Sequence, residues 1–251
     1  MNNIKWIFIF AIALVILWLI YEFRHYILWF VNVFSVTLKN QKGIKDIQKK
    51  GMDQRNLSNE DIIEYINMSK QILEKLNIEI NKKYILSDEL ERHLRYSRFS
   101  EKYVQELLHE ILSHMDLNKK DISLKINYIS SKYYIPYAGL YSEKAELDSK
   151  KNIVINIQND MTMDTVISII AHECTHHLLL SNHIKLEDRL KNECLTDITA
   201  ILLGFGRYMI EGYKISNKII YDEINHRSIK KNRVGYLSYK DIEYVIKNIK
   251  K

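Results

Sequence analysis

The chain has 251 residues, of which 47% are hydrophobic and 27% are charged. This composition can bury a sizeable core and excludes a chain that is disordered throughout. Seven glycines and one proline argue against collagen-like and turn-dense all-β folds, and two cysteines exclude a disulfide-stabilised scaffold. The net charge of +6 is spread along the chain, so it favours contact with an acidic lipid surface and gives no signature of nucleic-acid binding.

The first predicted element is an apolar helix near the N-terminus. Residues 6–21 are sixteen consecutive apolar or aromatic residues, and all three tryptophans lie within the first 29 positions. Such a helix spans about 24 Å, and Lys5 and Phe23 extend it towards the roughly 30 Å of a bilayer core. A cleaved signal peptide or a buried core helix would be the alternatives, but no small-residue cleavage site follows and the apolarity covers every face. We therefore predict a retained, single-pass transmembrane anchor.

A second apolar stretch, residues 26–38, is too short to span a bilayer and is interrupted by Asn32. We assign it to the membrane interface, so that residues 1–38 form the anchor and the polar residues 39–59 form a linker. More basic residues follow the apolar span than precede it. By the positive-inside rule, this asymmetry favours a cytoplasmic location for the C-terminal part of the chain.

Helical patterns follow the linker and define a helical region over residues 60–120. Ser58 and Asp61 have the spacing of a capping box, and apolar residues then repeat at helical intervals. Two more helices are predicted over residues 88–97 and 101–115.

The pattern changes at residue 121, where alternating β-favouring residues predict a strand over 121–130 and a second over 151–158. Helices are predicted over residues 163–180 and 185–208, and a last helix follows an N-cap at Ser238. The expected fold class is mainly α with a small β-sheet (α+β), and residues 121–251 would form one domain after the helical region.

The predicted helix over residues 163–180 contains the sequence His172-Glu173-Cys174-Thr175-His176. On a helix, positions i and i+4 share a face, so His172 and His176 can direct their imidazoles at one metal ion. Glu173 is rotated by about 100° and can reach a metal-bound water without being a ligand. Hydrolysis at a zinc site needs both groups. The ion lowers the pKa of its bound water, and the carboxylate takes the proton of that water. A similar sequence with His109 and His114 has a spacing of five, which does not bring the two imidazoles together.

A catalytic zinc site needs a third protein ligand, and the next predicted helix offers Glu193 and Asp197 on one face. Glu193 can complete a His-His-Glu triad, and Asp197 can accept the remaining N–H of a ligating histidine. The alternative is an exposed acidic pair without a function. An apolar setting just after the histidine helix favours ligation.

With these residues, the sequence resembles the gluzincin type of zinc metallopeptidase, over roughly residues 153–212. The resemblance implies a zincin-like domain that binds Zn²⁺ through His172, His176 and Glu193, with Glu173 as general base and Asp197 as the orienting residue. It also implies a peptide or protein substrate, aligned by an edge strand that precedes the active-site helix. Residues 151–158 occupy the expected place of that strand.

Other residues near the motif have weaker claims. His183 suggests a metzincin-like third ligand, but it lies seven residues after His176, where that pattern needs six. His177 points away from the shared face and is interpreted as a packed or surface histidine, and the two cysteines as small buried thiols. Donors that could stabilise an oxyanion are offered by four residues near the C-terminus, of which we select His226 as the candidate: His226, Arg227, Tyr236 and Tyr239.

The sequence thus predicts a membrane-anchored zinc metallopeptidase that hydrolyses peptide bonds. Two alternatives stay open. One is a non-catalytic membrane protein with a structural zinc site, for which Glu173 would be unnecessary. The other is an anchored interaction module formed by the helices of residues 60–115.

Overall fold

The computed structural model describes residues 57–130, 137–142, 151–213, 219–222, 227–230 and 235–249. The predicted anchor over residues 1–38 and nearly all of the predicted linker over 39–59 lie outside these ranges. Among the described residues, no helix combines the length and the apolarity that a membrane span requires. The chain from residue 55 onwards forms one compact unit.

Three helices open the described part of the chain: α1 (Asn59–Lys75), α2 (Asp88–Ser97) and α3 (Glu101–His114). Their positions confirm the predicted helices. Helix α1 begins with the predicted capping box, in which the Ser58 hydroxyl accepts the Asp61 amide at 3.0 Å and the Asp61 carboxylate accepts the Ser58 amide at 3.2 Å. The buried faces of α1 and α3 contribute aliphatic side chains to the main core.

Three strands form a mixed sheet within the described residues: β1 (Ile122–Ile129), β2 (Gly139–Ser142) and β3 (Lys151–Gln158). Their order is β1-β3-β2, with β1 parallel and β2 antiparallel to β3. The expectation that residues 151–158 form the edge strand was therefore wrong. Strand β2, which was not predicted from the sequence, pairs with β3 on the side opposite β1, so β3 is the central strand.

Two helices follow the sheet, α4 (Met163–Ser181) and α5 (Arg189–Ala200). The single helix predicted over residues 185–208 is divided in the structure. Helix α5 is followed by a π-helix (Ile201–Phe205) and then by the short helix α6 (Gly206–Gly212). The division falls at Gly204, whose φ of 98° is not helical.

The irregular backbone at the π-helix exposes carbonyl groups that need partners from elsewhere in the chain. The Leu202 carbonyl accepts the Asn81 amide at 2.8 Å, and the Gly204 carbonyl accepts the Tyr84 amide at 3.3 Å. The Leu203 carbonyl accepts His114 Nε2 at 2.8 Å. These three bonds satisfy buried acceptors and explain how the helix can change its path here.

The chain continues with a two-stranded hairpin, β4 (Ile219–Asp222) and β5 (Arg227–Lys230), and ends in helix α7 (Tyr239–Ile249). The hairpin was not predicted, whereas α7 begins after Ser238 as expected. The fold is thus mainly helical with a small mixed sheet. One core joins side chains of α1 and α3 to those of β3, α4 and α5.

Candidate metal centre

Helix α4 brings His172 and His176 together. The two residues are one turn apart, and their rings lie 4.6 Å apart between centroids at an interplanar angle of 85°. Both side chains are buried, with residue exposures of 7% and 9%. The helix starts at Thr162, whose hydroxyl accepts the Thr165 amide. Because almost the whole length of α4 is buried, the core fixes the direction of both imidazoles.

Helix α5 supplies the third member of the group. Glu193 Oε2 lies 3.2 Å from His172 Nε2 and 2.9 Å from His176 Nε2. The three side-chain atoms lie within 4.8 Å of one another, and together they could hold a metal ion. Glu193 is 8% exposed, so the alternative of an exposed acidic pair is wrong.

The same helix contacts the outer nitrogens of both histidines. Asp197 Oδ1 lies 2.7 Å from His172 Nδ1, and Asp197 is fully buried. Thr196 Oγ1 lies 3.4 Å from His176 Nδ1 and donates its own proton to the Asn192 carbonyl at 2.9 Å. Helix α5 therefore provides the carboxylate that faces both inner nitrogens and also a partner for each outer nitrogen.

The arrangement of lone pairs calls for a cation between these groups. An ionised Asp197 has no proton to give, so His172 donates from Nδ1 and, when neutral, presents a lone pair at Nε2. That lone pair points at the Glu193 carboxylate, whose oxygens also carry only lone pairs. His176 likewise presents a lone pair at Nε2 to this carboxylate when its Nδ1 donates to Thr196. A metal ion or bound protons would remove this repulsion, so the donor set fits a metal.

For His172 and Glu193, burial shifts the pKa in one direction and hydrogen bonding shifts it in the other. Burial lowers the pKa of His172, but the charge and hydrogen bond of Asp197 outweigh it and leave the pKa well above its usual value. Burial raises the pKa of Glu193, but hydrogen bonds from the two imidazoles bring it far below the ordinary range. Without a metal, these pKa shifts favour a protonated His172 and an ionised Glu193.

Glu173 lies beside this group and faces strand β2. A Cβ atom on Gly139 would lie 2.4 Å from Glu173 Oε1, so only a glycine allows the carboxylate this close to the strand. The Tyr141 backbone amide donates a hydrogen bond to Glu173. Burial raises the pKa of Glu173, and the charges of the two nearby imidazoles lower it only in part. This carboxyl group is therefore a better proton acceptor than an exposed glutamate.

His183, His177 and the two cysteines are not members of the His-His-Glu group. His183 is exposed, and the His177 ring is hydrogen-bonded to the Tyr141 hydroxyl at 3.0 Å. Both cysteines are buried, as expected. His226, the candidate oxyanion donor, lies outside the described residues.

Two tyrosines reach the site from the C-terminal part of the chain. The Tyr236 ring stacks on His172 with a centroid distance of 5.8 Å and an interplanar angle of 23°. The Tyr213 hydroxyl donates to Asp197 Oδ1 at 2.7 Å. Tyr236 was one of four candidates from the sequence, but Tyr213 was missed, since no spacing rule relates it to Asp197.

Comparison of the chain with known protein families, with curated proteins and with solved structures found no match. The functional argument therefore depends on the geometry of this cluster.

Proposed function

We propose that the chain is a zinc metallopeptidase that hydrolyses peptide bonds, with Glu173 as the general base. The observation that carries the proposal is the convergence of His172, His176 and Glu193, with a second carboxylate one residue after the first histidine. Two ligands bound to one tetrahedral zinc ion at about 2.0–2.1 Å are separated by about 3.4 Å. The distances of 3.2 and 2.9 Å from Glu193 Oε2 to the two Nε2 atoms are close to that value.

The chemistry divides between the ion and the chain. When bound, zinc would polarise the peptide carbonyl and lower the pKa of a water molecule. Glu173 would take the proton of the attacking water and pass it to the leaving amine, a role that suits a buried carboxyl group with a raised pKa. Asp197 and Thr196 would hold the two imidazoles in the orientation that leaves Nε2 available.

Strand β2 offers a template for an extended peptide. It is one of the two edge strands of the three-stranded sheet, and Gly139 and Tyr141 lie against Glu173. A peptide that added to this edge by backbone pairing would pass the general base. The substrate class would therefore be an unstructured peptide or a flexible protein segment.

Tyr236 is the donor that the described residues offer for an oxyanion. Burial raises the pKa of its phenol, which stays protonated at neutral pH and can donate a hydrogen bond. Its ring stacks on His172, and the charges of Glu193 and Glu173 act on the pKa of its phenol, which places Tyr236 beside the ligand group. We propose Tyr236 for this role, in place of His226.

The proposal of an N-terminal membrane anchor rests on the sequence alone. We propose that residues 1–38 hold the enzyme at a membrane with the catalytic domain in the cytoplasm. Extraction of the full chain with carbonate should leave it in the membrane fraction, and removal of residues 1–38 should release it. Digestion of the C-terminal part by a protease added to intact cells would contradict the cytoplasmic orientation.

The peptidase is tested by measuring zinc content together with cleavage of a mixture of quenched fluorescent peptides. We expect one zinc per wild-type chain, full zinc but no cleavage in Glu173→Gln, and weakened zinc binding in Glu193→Ala. Undiminished cleavage by Glu173→Gln would exclude the mechanism. Zinc binding without cleavage by the wild type would favour the structural site, and absence of zinc would favour the interaction module.

A further inference from the structure

We infer that Tyr213 is a positioning residue of the metal site that acts through Asp197 and His172. The inference rests on the proposed metal site. The Tyr213 hydroxyl donates to Asp197 Oδ1 at 2.7 Å, and the same oxygen lies 2.7 Å from His172 Nδ1. Tyr213 is 4% exposed and Asp197 is fully buried, so water does not compete for these bonds.

The other oxygen of Asp197 is held by the backbone that carries Tyr236. Asp197 Oδ2 accepts the Tyr236 amide at 2.9 Å and the Leu237 amide at 3.2 Å. Asp197 therefore accepts four hydrogen bonds, two at each oxygen. Burial of a carboxylate is costly unless such donors replace water, and this set fixes both the charge and the plane of the group.

The Tyr213 ring is buried, and two glycines allow close packing around it and around the end of α6. At Gly212, a Cβ atom would lie 2.5 Å from Ser168 Oγ, so the end of α6 is pressed against α4. At Gly235, where φ is +89°, a Cβ atom would lie 1.8 Å from the Tyr213 ring. Gly212 thus lets the end of α6 lie close to α4, Gly235 lets the backbone lie against the Tyr213 ring, and the Tyr213 hydroxyl is bonded to Asp197.

Loss of the Tyr213 hydroxyl would act on the metal through this chain of contacts. Burial raises the pKa of the phenol far above its usual value, so the group is a permanent donor. Without it, Asp197 Oδ1 retains only the bond with His172, and the carboxylate is less firmly oriented. Substitution of the residues that hydrogen-bond to metal-ligating histidines typically lowers metal affinity about 10-fold to 100-fold.

The test compares Tyr213→Phe with Tyr84→Phe. Tyr84 is also buried, and its hydroxyl donates to Glu110 Oε1 at 3.0 Å, away from the metal cluster. Zinc dissociation constants are measured on the full chain by competition with a chromophoric chelator, and absorption spectra are recorded after cobalt substitution. We expect Tyr213→Phe to weaken zinc binding at least about 10-fold and to alter the cobalt spectrum, and Tyr84→Phe to leave both unchanged.

A second variant covers the case in which Tyr213→Phe does not fold. Gly235→Ala keeps the hydroxyl but displaces the ring, and it should weaken zinc binding as well. Wild-type zinc affinity in both variants would overturn the inference, and so would an equal loss of affinity in Tyr84→Phe. A wild-type chain that binds no zinc would overturn the proposed function together with the inference, so the two failures are distinguishable.

Discussion

Glu173 and Glu193 are both buried carboxylates, but their surroundings act on them in opposite ways. Glu193 has two imidazole nitrogens within 3.2 Å, and these bonds keep it ionised against the effect of burial. For Glu173, burial is the largest effect and raises the pKa, whereas the charges of the two imidazoles lower it only in part. The difference suits a ligand that stays charged and a base that exchanges a proton.

Tyr236→Phe tests the oxyanion donor that we propose. The substitution removes the hydroxyl and retains both the stacked ring and the backbone amide that binds Asp197. We expect kcat to fall about 100-fold or more with unchanged zinc content, because the lost bond would form in the transition state. Tyr239→Phe, at an exposed position nearby, is the control and should retain full activity. A wild-type kcat in Tyr236→Phe would return the role to a residue such as His226.

Gly139→Ala tests the contact between strand β2 and Glu173, the proposed general base. The added methyl group would occupy the position of Glu173 Oε1 and displace the carboxylate. We expect cleavage to fall about 100-fold while zinc binding is retained, since Glu173 is not a ligand. Gly206→Ala is the matched control, because its Cβ meets only flexible isoleucine side chains at 3.1 Å or more. Equal activity losses in the two variants would argue for a general loss of stability.

The site residues that the sequence revealed are those that helical spacing brings together. His172 and His176 share a face of α4, and Glu193 and Asp197 share a face of α5. The contacts of Tyr213 and Tyr236 with Asp197 join residues 16 and 39 positions apart. Such contacts depend on how elements pack, which local periodicity does not encode.

At the scale of elements, the bounds of α1 to α4 follow from caps and apolar periodicity, whereas β2 and the π-helix do not. Strand β2 has only four residues, too few for a clear alternation. The π-helix lies inside an apolar run that predicts an unbroken helix. Its carbonyls accept hydrogen bonds from residues about 90 to 120 positions away in the chain, such as His114 for Leu203. These distant donors determine the path of the backbone here.

His114→Leu tests this support of the π-helix. The substitution would leave the buried Leu203 carbonyl without its donor, so we expect the free energy of unfolding to fall by about 1–3 kcal/mol. Denaturant titration of the metal-free protein measures the change. His109→Ala is the control on the same helix, because the His109 imidazole bonds to the Gln105 side chain one turn away and not to the π-helix, and it should cost less. An equal cost for the two variants would mean that the Leu203 bond contributes little.

At the scale of the molecule, helices α1 and α3 complete the core that holds the metal cluster. Ile66 and Leu73 of α1 and Leu107 of α3 are almost fully buried in that core. A buried hydrogen bond of 2.9 Å joins Ser69 on α1 to Thr199 on α5, the helix that carries Glu193. The helical region of residues 60–120 is therefore a structural part of the site.

Two fragments of the chain test whether the fold of residues 121–251 depends on helices α1 and α3. Residues 55–251 should unfold in a single cooperative thermal transition, because they form one compact unit. Residues 121–251 alone should show no cooperative transition, since the aliphatic faces that α1 and α3 cover would be exposed to water. Circular dichroism during heating distinguishes the two. A cooperative transition of the shorter fragment would establish residues 121–251 as an independent domain.

The bonds that hold Asp197 also constrain when the site can form during synthesis. Two of its four donors, the amides of Tyr236 and Leu237, lie 39 and 40 positions after Asp197 in the chain. A ribosome-bound chain that has already exposed His172, His176 and Glu193 still lacks the segment that fixes the partner of His172. The Asp197 carboxylate would therefore be fully held only after residues 236 and 237 have left the ribosome, and a premature stop before residue 236 would leave a chain with every proposed ligand but an incompletely held site.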